Sequence, residues 1–497
     1  MYDENIFLLE NMDILNKFFR SIFFAPVLTG ALLALALPYS DIGFLALIAF
    51  VPMLFFVNLP HISTKKVFWG GFLSGTIYGI FVLYPLFSLN AWWWVNQEGF
   101  FWIYKDNLLR AFLVLLASYG GGLFFAIFFG LYRKFKQNSI LDAFVFSLIW
   151  AVMEWVREFF VLGFTWGHLG YLLHNHTYVL QLAKIAGVYG VSFFVVVVNI
   201  LIYLVLFRSH TSKEKIHRSL ILSTFLVVIL LYGYFIVSVG DKNLNKKELS
   251  VAVVNQTLKT EESIGISGYY NYINLLKEAL AKKPDIVVLP ENAFPFFIIE
   301  RTTMLPFKYN NPDLEIGRLY DELALLSKDN PKSSFIMGMH TQDKNERYNS
   351  LVVMENGLIV GIYNKQELLP LAENSPEIGK EKHIEPLEKG ASTQQIMVGG
   401  KVVTPLVCSE VIFPSLASSK TSKFIINISN DSVFDDFLVA KQNHIMAKLR
   451  AVENGKYLLR SVKGGISSII DPFGRVVEQS TRGSRDVLFG RILVTEK

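Results

Sequence analysis

A single cysteine, Cys408, stands in a chain of 497 residues. It closes the apolar run Val402-Val403-Thr404-Pro405-Leu406-Val407, and Ser409 and Glu410 follow it. A buried strand that ends in a cysteine can hold a thiolate nucleophile rigidly at a pocket mouth. Taken alone, the same residue reads as a small core hydrophobe, because unpaired cysteines are among the most buried residues. Two other polar residues occupy comparable places. Glu291 follows Val287-Val288-Leu289-Pro290, and Lys365 follows the run ending in Ile362-Tyr363-Asn364, with Glu373 eight residues on. A carboxylate, an ammonium and a thiol are a workable set for acyl transfer. Glu291 would take the thiol proton as general base. Lys365 would lower the thiol pKa and stabilise a tetrahedral oxyanion. Cys408 would attack a carbonyl carbon and hold the acyl group as a thioester. Singly, Glu291 and Lys365 read as surface or salt-bridge residues; the combination carries the chemistry.

The elements that must position these groups come from a pattern of alternating strands and helices after residue 248. Strands are predicted at 249–254, 285–289, 334–339, 351–354, 358–363, 402–407, 424–428, 457–461 and 467–470. Helices are predicted at about 267–283, 313–328 and 437–454. Asn356-Gly357 is a strong hairpin signal, and Asp471-Pro472-Phe473-Gly474 reads as a second tight turn. Alternation over this length implies an α/β domain with buried sheets. In such folds, sites gather at strand ends.

The first half of the chain has another character. The sequence is 52% hydrophobic and 14% aromatic, and the apolar excess lies before residue 240. We read residues 1–240 as a transmembrane helical domain and 241–497 as a water-soluble catalytic domain. About seven spans are predicted: 21–37, 43–57, 67–89, 108–132, 140–162, 185–207 and 219–239. The second is short, and Pro52 can kink it. Lys17, Arg20 and Ala34-Leu35-Ala36 resemble a signal peptide, but six more apolar segments follow, so the first span is read as retained. Lys65, Lys66, Arg133, Lys134, Lys136, Arg208, Lys213, Lys215 and Arg218 fall in alternate loops. By the positive-inside rule those loops are cytoplasmic, which puts the soluble domain on the outer face of a bacterial inner membrane. The net charge of +5 follows from these loops and does not call for nucleic acid. One cysteine excludes an intrachain disulfide and a multi-cysteine metal site.

Some polar and aromatic residues of this half ask for a role. Trp92, Trp93, Trp94, Trp102 and Tyr104 read as an interfacial aromatic belt, or as a wall of a lipid-entry site. Charges at membrane depth are costly, so Glu154 and Arg157 should pair with each other or face the bundle interior. His168, His174 and His176 lack the carboxylate or cysteine set of a metal site. Neither a metal nor a cofactor is expected.

The motifs around the three polar residues resemble a known family. Pro290-Glu291-Asn292, Lys365 and Cys408-Ser409-Glu410 resemble the Glu-Lys-Cys triad of the nitrilase (carbon–nitrogen hydrolase) superfamily. Asn427-Ile428-Ser429-Asn430-Asp431-Ser432-Val433-Phe434, with Gln442, Met446, Arg450, Arg460-Ser461 and Gly464-Gly465-Ile466 after it, is more specific. So is Gly163-Phe164-Thr165-Trp166. With the multispan N-terminal half, these resemble the bacterial apolipoprotein N-acyltransferase family over nearly the whole chain. The resemblance implies a nitrilase-like four-layer α-β-β-α sandwich on a membrane α-helical bundle. It implies transfer of the sn-1 acyl chain of a phospholipid, typically phosphatidylethanolamine, to the α-amine of a diacylglyceryl-cysteine at an apolipoprotein N-terminus. Glu291 matches the base, Lys365 the oxyanion stabiliser and Cys408 the nucleophile. Glu373 and Glu410 match additional acidic positions.

The chain also departs from the family pattern. Ser409 replaces a Tyr after the cysteine. Val433-Phe434-Asp435 replaces Trp-Phe-Gly, and Phe164-Thr165-Trp166 replaces Phe-Pro-Trp. Val254-Asn255-Gln256 stands at a Gln-Gly-Asn, and its downstream Trp is missing. Trp166, Ser409 and Phe434 are therefore candidate lipid or substrate contacts, in loops whose grip is altered. The tail Leu488–Val494 is too short to span a membrane, so we expect the soluble domain to be anchored at one end. A monomer is expected. Two other readings stay open: a membrane-anchored nitrilase-type amidase that uses water, and a catalytically weak lipid- or lipoprotein-binding relative.

Overall fold

A computed structural model of the chain describes residues 23–38, 40–85, 100–159, 165–241, 246–256, 266–294, 296–299, 303–306, 313–343, 346–368, 373, 387–392, 395–434, 437–481 and 483–495. They form two compact units that divide between Val237 and Ser238.

The first unit is helical. Its elements are α1 (Phe24–Leu35), α2 (Val51–Val57), α3 (Thr64–Leu83), α4 (Phe100–Phe135), α5 (Ile140–Arg157), α6 (Ala183–Phe207) and α7 (Ser212–Asp241). Among the described residues, four segments are long and apolar enough to cross a membrane: Thr64–Leu83, Val114–Phe135, Ala183–Phe207 and Ser212–Gly240. The other predicted spans are shorter helices here. The stretch 43–57 is not one helix but a 3-10 turn, Gly43–Leu47, followed by α2. Pro52 sits in the first turn of α2, where its missing N–H is harmless. The break frees backbone groups that apolar surroundings cannot solvate. Asn199 of α6 satisfies them: its Oδ1 accepts from Phe50 N at 2.7 Å and its Nδ2 donates to Ala46 O at 2.7 Å.

Close packing of α3 on α4 follows from glycines. A Cβ on Gly75 would lie 2.5 Å from the Gly121 carbonyl, and one on Gly71 2.9 Å from that of Phe125. Small residues thus let the two backbones touch. Glu154 is fully buried but does not pair with Arg157. Its carboxylate accepts from Trp150 Nε1 at 2.9 Å and Leu169 N at 3.0 Å, and lies 3.2 Å from His168 Nδ1. Arg157 instead donates to the Trp166 carbonyl at 3.2 Å and lies over the Phe124 ring. Trp92, Trp93, Trp94, Gly163, Phe164 and Asp435, and the side chains of Trp102 and Tyr104, lie outside the described residues.

The second unit is built on two sheets. The first contains β1 (Lys246–Asn255), β2 (Ile286–Val288), β3 (Phe296–Ile299), β4 (Thr303–Pro306), β5 (Ser334–Asp343), β6 (Glu346–Glu355), β7 (Leu358–Asn364) and β14 (Asp486–Thr495). Its order is β14-β1-β2-β5-β3-β4, with β6 and then β7 added on β5. The second sheet runs β13-β12-β11-β10-β9-β8. These strands are β8 (Ile396–Val398), β9 (Lys401–Val407), β10 (Ile425–Asn430), β11 (Leu458–Lys463), β12 (Ser468–Ile470) and β13 (Val476–Gln479). In each sheet three central strands are parallel: β1, β2 and β5 in the first, β9, β10 and β11 in the second. Both faces of such strands must be covered.

Strand alternation divides the side chains between two cores. Val251, Val253, Ile286, Val288 and Ile336 face Val403, Val407, Ile426, Ile428 and Leu459 of the other sheet. Ala252, Val254, Val287, Phe335 and Met337 meet α8 (Ile266–Leu280) and α9 (Asp313–Asp329) through Tyr272, Leu276, Leu319 and Leu323. Helix α10 (Phe437–Asn454) is largely buried and packs on the second sheet. The result is the expected α-β-β-α sandwich. The tail read as too short to span is β14, paired antiparallel with β1 along its length.

Candidate active site

The three residues picked from the sequence come together where strands of the two sheets end. Glu291 follows β2, Lys365 follows β7 and Cys408 follows β9. Two belong to the first sheet and one to the second. Cys408 has φ +54° and opens a 3-10 turn, Cys408–Ile412. A non-glycine residue in that region carries strain of about 1–2 kcal/mol, and such strain persists only where surrounding contacts enforce it. Glu410 supplies one of those contacts: its Oε2 accepts from Val407 N at 2.7 Å. Asn292, next to Glu291, is also left-handed, at φ +53°.

Glu291 is buried, and its Oε1 accepts from Asn349 Nδ2 at 2.6 Å. Asn349 Nδ2 also donates to Glu373 Oε1 at 3.0 Å. Glu373 Oε2 in turn lies 2.6 Å from the Lys365 ammonium, which is 1% exposed. One amide therefore ties Glu291 to the partner of Lys365. The backbone reinforces this, because Lys365 N donates to Asn349 O at 2.8 Å. Asn349 was not apparent from the sequence. Its signal is slight: Asn349 and Ser350 together precede the apolar run Leu351–Met354.

Burial shapes the electrostatics. It raises the Glu291 carboxyl above its ordinary range; Lys365 opposes that shift and Glu373 adds to it. Burial works against the Lys365 ammonium, but Glu373, Cys408 and Glu291 outweigh it and raise its pKa. Burial, with Glu291 beside it, raises the Cys408 thiol, while Lys365 pulls it down. The resting site thus holds a neutral thiol, a firmly charged ammonium and a carboxylate that gains from either a proton or a cation.

Glu410 is fully buried, and burial pushes its carboxyl up to about 7 against hydrogen bonds from Val407, Gln366 and Glu367. Its Oε1 accepts from Gln366 N at 2.6 Å and from Tyr363 Oη at 3.0 Å. It therefore laces the segment after Lys365 to the turn that holds Cys408. On the other side, Asp431 and Arg460 form a fully buried pair at 3.0 Å. Arg460 also donates to Asn427 Oδ1, and Asn427 Nδ2 donates to Leu406 O at 3.1 Å, two residues before Cys408. Ser409 and Phe434 are half-buried in this unit, and Phe434 N donates to Asp431 O. Trp166 belongs to the helical unit.

Comparison with known proteins finds two separate family matches along the chain. Residues 29–201 match the apolipoprotein N-acyltransferase N-terminal domain, and residues 251–495 match the carbon-nitrogen hydrolase family. An apolipoprotein N-acyltransferase of Geobacter metallireducens is 28% identical, over 96% of this chain and 90% of its own. One from Aquifex aeolicus is 30% identical, over 76% of this chain and 81% of its own. Among solved structures, a CN-hydrolase superfamily protein from Xanthomonas campestris is 16% identical, with a TM-score of 0.36, over 50% of this chain and 91% of its own.

Proposed function

Since the chain belongs to the apolipoprotein N-acyltransferase family, we propose that Cys408 carries an acyl group, as a thioester, from a phospholipid to the N-terminal amine of a diacylglyceryl apolipoprotein. The protein is a membrane enzyme, and its activity is lipoprotein N-acylation. In the first half-reaction Glu291 removes the Cys408 proton and Sγ attacks the sn-1 ester carbonyl carbon. The Lys365 ammonium stabilises the oxyanion. The C–O bond then breaks, and Glu291 returns the proton to the departing lysophospholipid hydroxyl. In the second, the apolipoprotein α-amine attacks the thioester carbon and gives its proton to Glu291. The C–S bond breaks, and the thiolate recovers that proton.

Asn349, Glu373 and Glu410 are positioning residues in this scheme. The observation that carries it is the convergence of Glu291, Lys365 and Cys408 from two sheets, with Asn349 and Glu373 linking the base to the cation. The donor is phosphatidylethanolamine-like. The soluble unit works as a monomer on the outer face of the inner membrane. This last assignment rests on the Lys/Arg bias of the loops.

The test uses the full-length protein with phosphatidylethanolamine and no acceptor. One fatty-acyl mass should appear on Cys408, be absent in Cys408→Ala, and be released by neutral hydroxylamine. A diacylglyceryl peptide with a free amine should discharge it, and an N-acetylated peptide should not. Full N-acylation by Cys408→Ala would overturn the mechanism. Discharge by water as fast as by the peptide would mark an amidase instead.

A further inference from the structure

Two buried polar side chains beside the triad take no part in these steps. Gln256 follows β1 and is fully buried, and neither its Nε2 nor its Oε1 has a hydrogen-bond partner among the described residues. Lys463 ends β11 and is 9% exposed. It makes no side-chain hydrogen bond or ion pair among the described residues. The two positions form a parallel bridge, and Gly464 N donates to Gln256 O at 3.0 Å. That bridge joins the two sheets at their ends.

Register places this pair against the triad. Val253 pairs with Val288; carried forward, the same register sets Gln256 level with Glu291. On the other sheet Lys463 pairs with Asn430, and Val407 pairs with Ile428. Lys463 is therefore two strands from Cys408 and one residue further out, about 10 Å away at about 4.8 Å per strand. Its backbone is pinned. Gly464 has φ +75°, and a Cβ there would lie 2.7 Å from Ser432 Cα; one on Gly465 would lie 2.5 Å from Asp431 Oδ2. The side chain thus starts from a fixed point at the rim of the site.

A buried amide with no partner is costly, and beside it stands the Lys463 side chain, 9% exposed. Together they offer N–H donors and positive charge to an oxygen-rich anion. Six bonds separate a phospholipid's sn-1 ester carbon from its phosphorus, a separation of the same order as that between Cys408 and Lys463. We infer that Lys463 and Gln256 form the subsite for the donor's phosphodiester and set the preference for phosphate-bearing donors in the first half-reaction. This rests on the acyl-transfer reading above. Burial lowers the Lys463 ammonium below the ordinary lysine range, against the pull of Glu291, and a docked phosphate would reverse that.

The experiment compares two donors with the same acyl chain, phosphatidylethanolamine and a p-nitrophenyl ester, on full-length protein in mixed micelles. The readout is the rate of acyl-enzyme formation by intact mass. For Lys463→Gln, the ratio of the phospholipid rate to the p-nitrophenyl rate should fall by roughly 10–100-fold, the usual worth of a charge-assisted hydrogen bond. Lys463→Arg should restore most of that ratio. Gln256→Ala should lower it by roughly 5-fold as one neutral hydrogen bond is lost, and it carries the test if the Lys463 variants do not fold. An unchanged ratio would refute the subsite. A loss confined to discharge by the diacylglyceryl peptide would reassign it to the acceptor. Inorganic phosphate should compete with phosphatidylethanolamine in the wild type and not in Lys463→Gln. Equal inhibition of both donors would mark a free-phosphate site and refute the lipid assignment. Wild-type protein acylated by the p-nitrophenyl ester but not by phospholipid would refute the donor class itself, a different result from an unchanged ratio.

Discussion

Asn349→Ala separates the placement of the base from its chemistry. The substitution removes an amide that lies 2.6 Å from Glu291 Oε1 and 3.0 Å from Glu373 Oε1. It leaves the backbone bond from Lys365 N to Asn349 O in place. A hydrogen bond to a charged acceptor is worth about 1.5–3 kcal/mol. The bond to Glu291 favours its ionised form, while burial and Glu373 already disfavour it. Losing the bond should therefore raise the Glu291 pKa further. The sign follows from the mechanism. In the proposed mechanism Glu291 must be ionised to take the Cys408 proton, so the rate of acyl-enzyme formation should climb as pH rises through its pKa. In Asn349→Ala that acid limb should move to higher pH. Below the limb the variant should be roughly 10–100-fold slower, and well above it the rates should converge. The assay is the pH profile of Cys408 acylation by a p-nitrophenyl ester, read by intact mass. A limb that stays in place, or an equal loss at every pH, would refute this account of Asn349.

Other substitutions probe the remaining groups. Glu291→Gln should slow acylation by about 10²–10⁴-fold, and Lys365→Ala by about 10²–10³-fold, both read as adduct formation rates. Glu410 holds its proton in the folded state up to about pH 7, against 4.5 ordinarily. Its contribution to stability is therefore full below pH 4.5 and is lost as pH rises to 7. The loss amounts to about 3 kcal/mol. Thermal midpoints in detergent should show that slope, and Glu410→Gln should flatten it; an identical slope in both proteins would exclude Glu410 as its source. In the helical unit, Gly75→Ala drives a methyl into the Gly121 carbonyl and should cost about 1–3 kcal/mol. Gly120→Ala on α4 meets nothing within 4 Å and should be neutral or slightly stabilising. Equal midpoints for the two variants would contradict the packing of α3 on α4.

The triad was legible because each member ends an apolar run, and a polar residue there interrupts the pattern. Asn349 was not, because its role exists only across strands: the register of β6 carries it to Glu291, which is far away in sequence. The central strands were legible from their continuous Val and Ile runs. Strands β3, β4, β8 and β13 were missed, since each has three or four residues and reads as a loop. β14 was seen only as an apolar tail, because edge pairing with β1 leaves no local mark. Span lengths were overestimated at 43–57, where Asn199, about 150 residues away, supports a break that hydrophobicity cannot reveal. Glu154 and Arg157 were expected to pair or to face the bundle interior, and Glu154 is buried without pairing to Arg157. His168, Trp150 and Leu169 N satisfy that carboxylate first.

The triad draws Glu291 and Lys365 from one sheet and Cys408 from the other. The slab of Val, Ile and Leu side chains between the sheets is therefore a spacer, about 10 Å thick. Its thickness sets the gap that a proton must cross. Trimming Val253 or Ile428, neither of which carries chemistry, would let the faces settle by a fraction of an ångström. Turnover would register that settling before melting did, so catalytic rate becomes a ruler for a core that no substrate touches. Val253→Ala with unchanged acylation kinetics and a lowered melting point would show that the ruler has no such sensitivity.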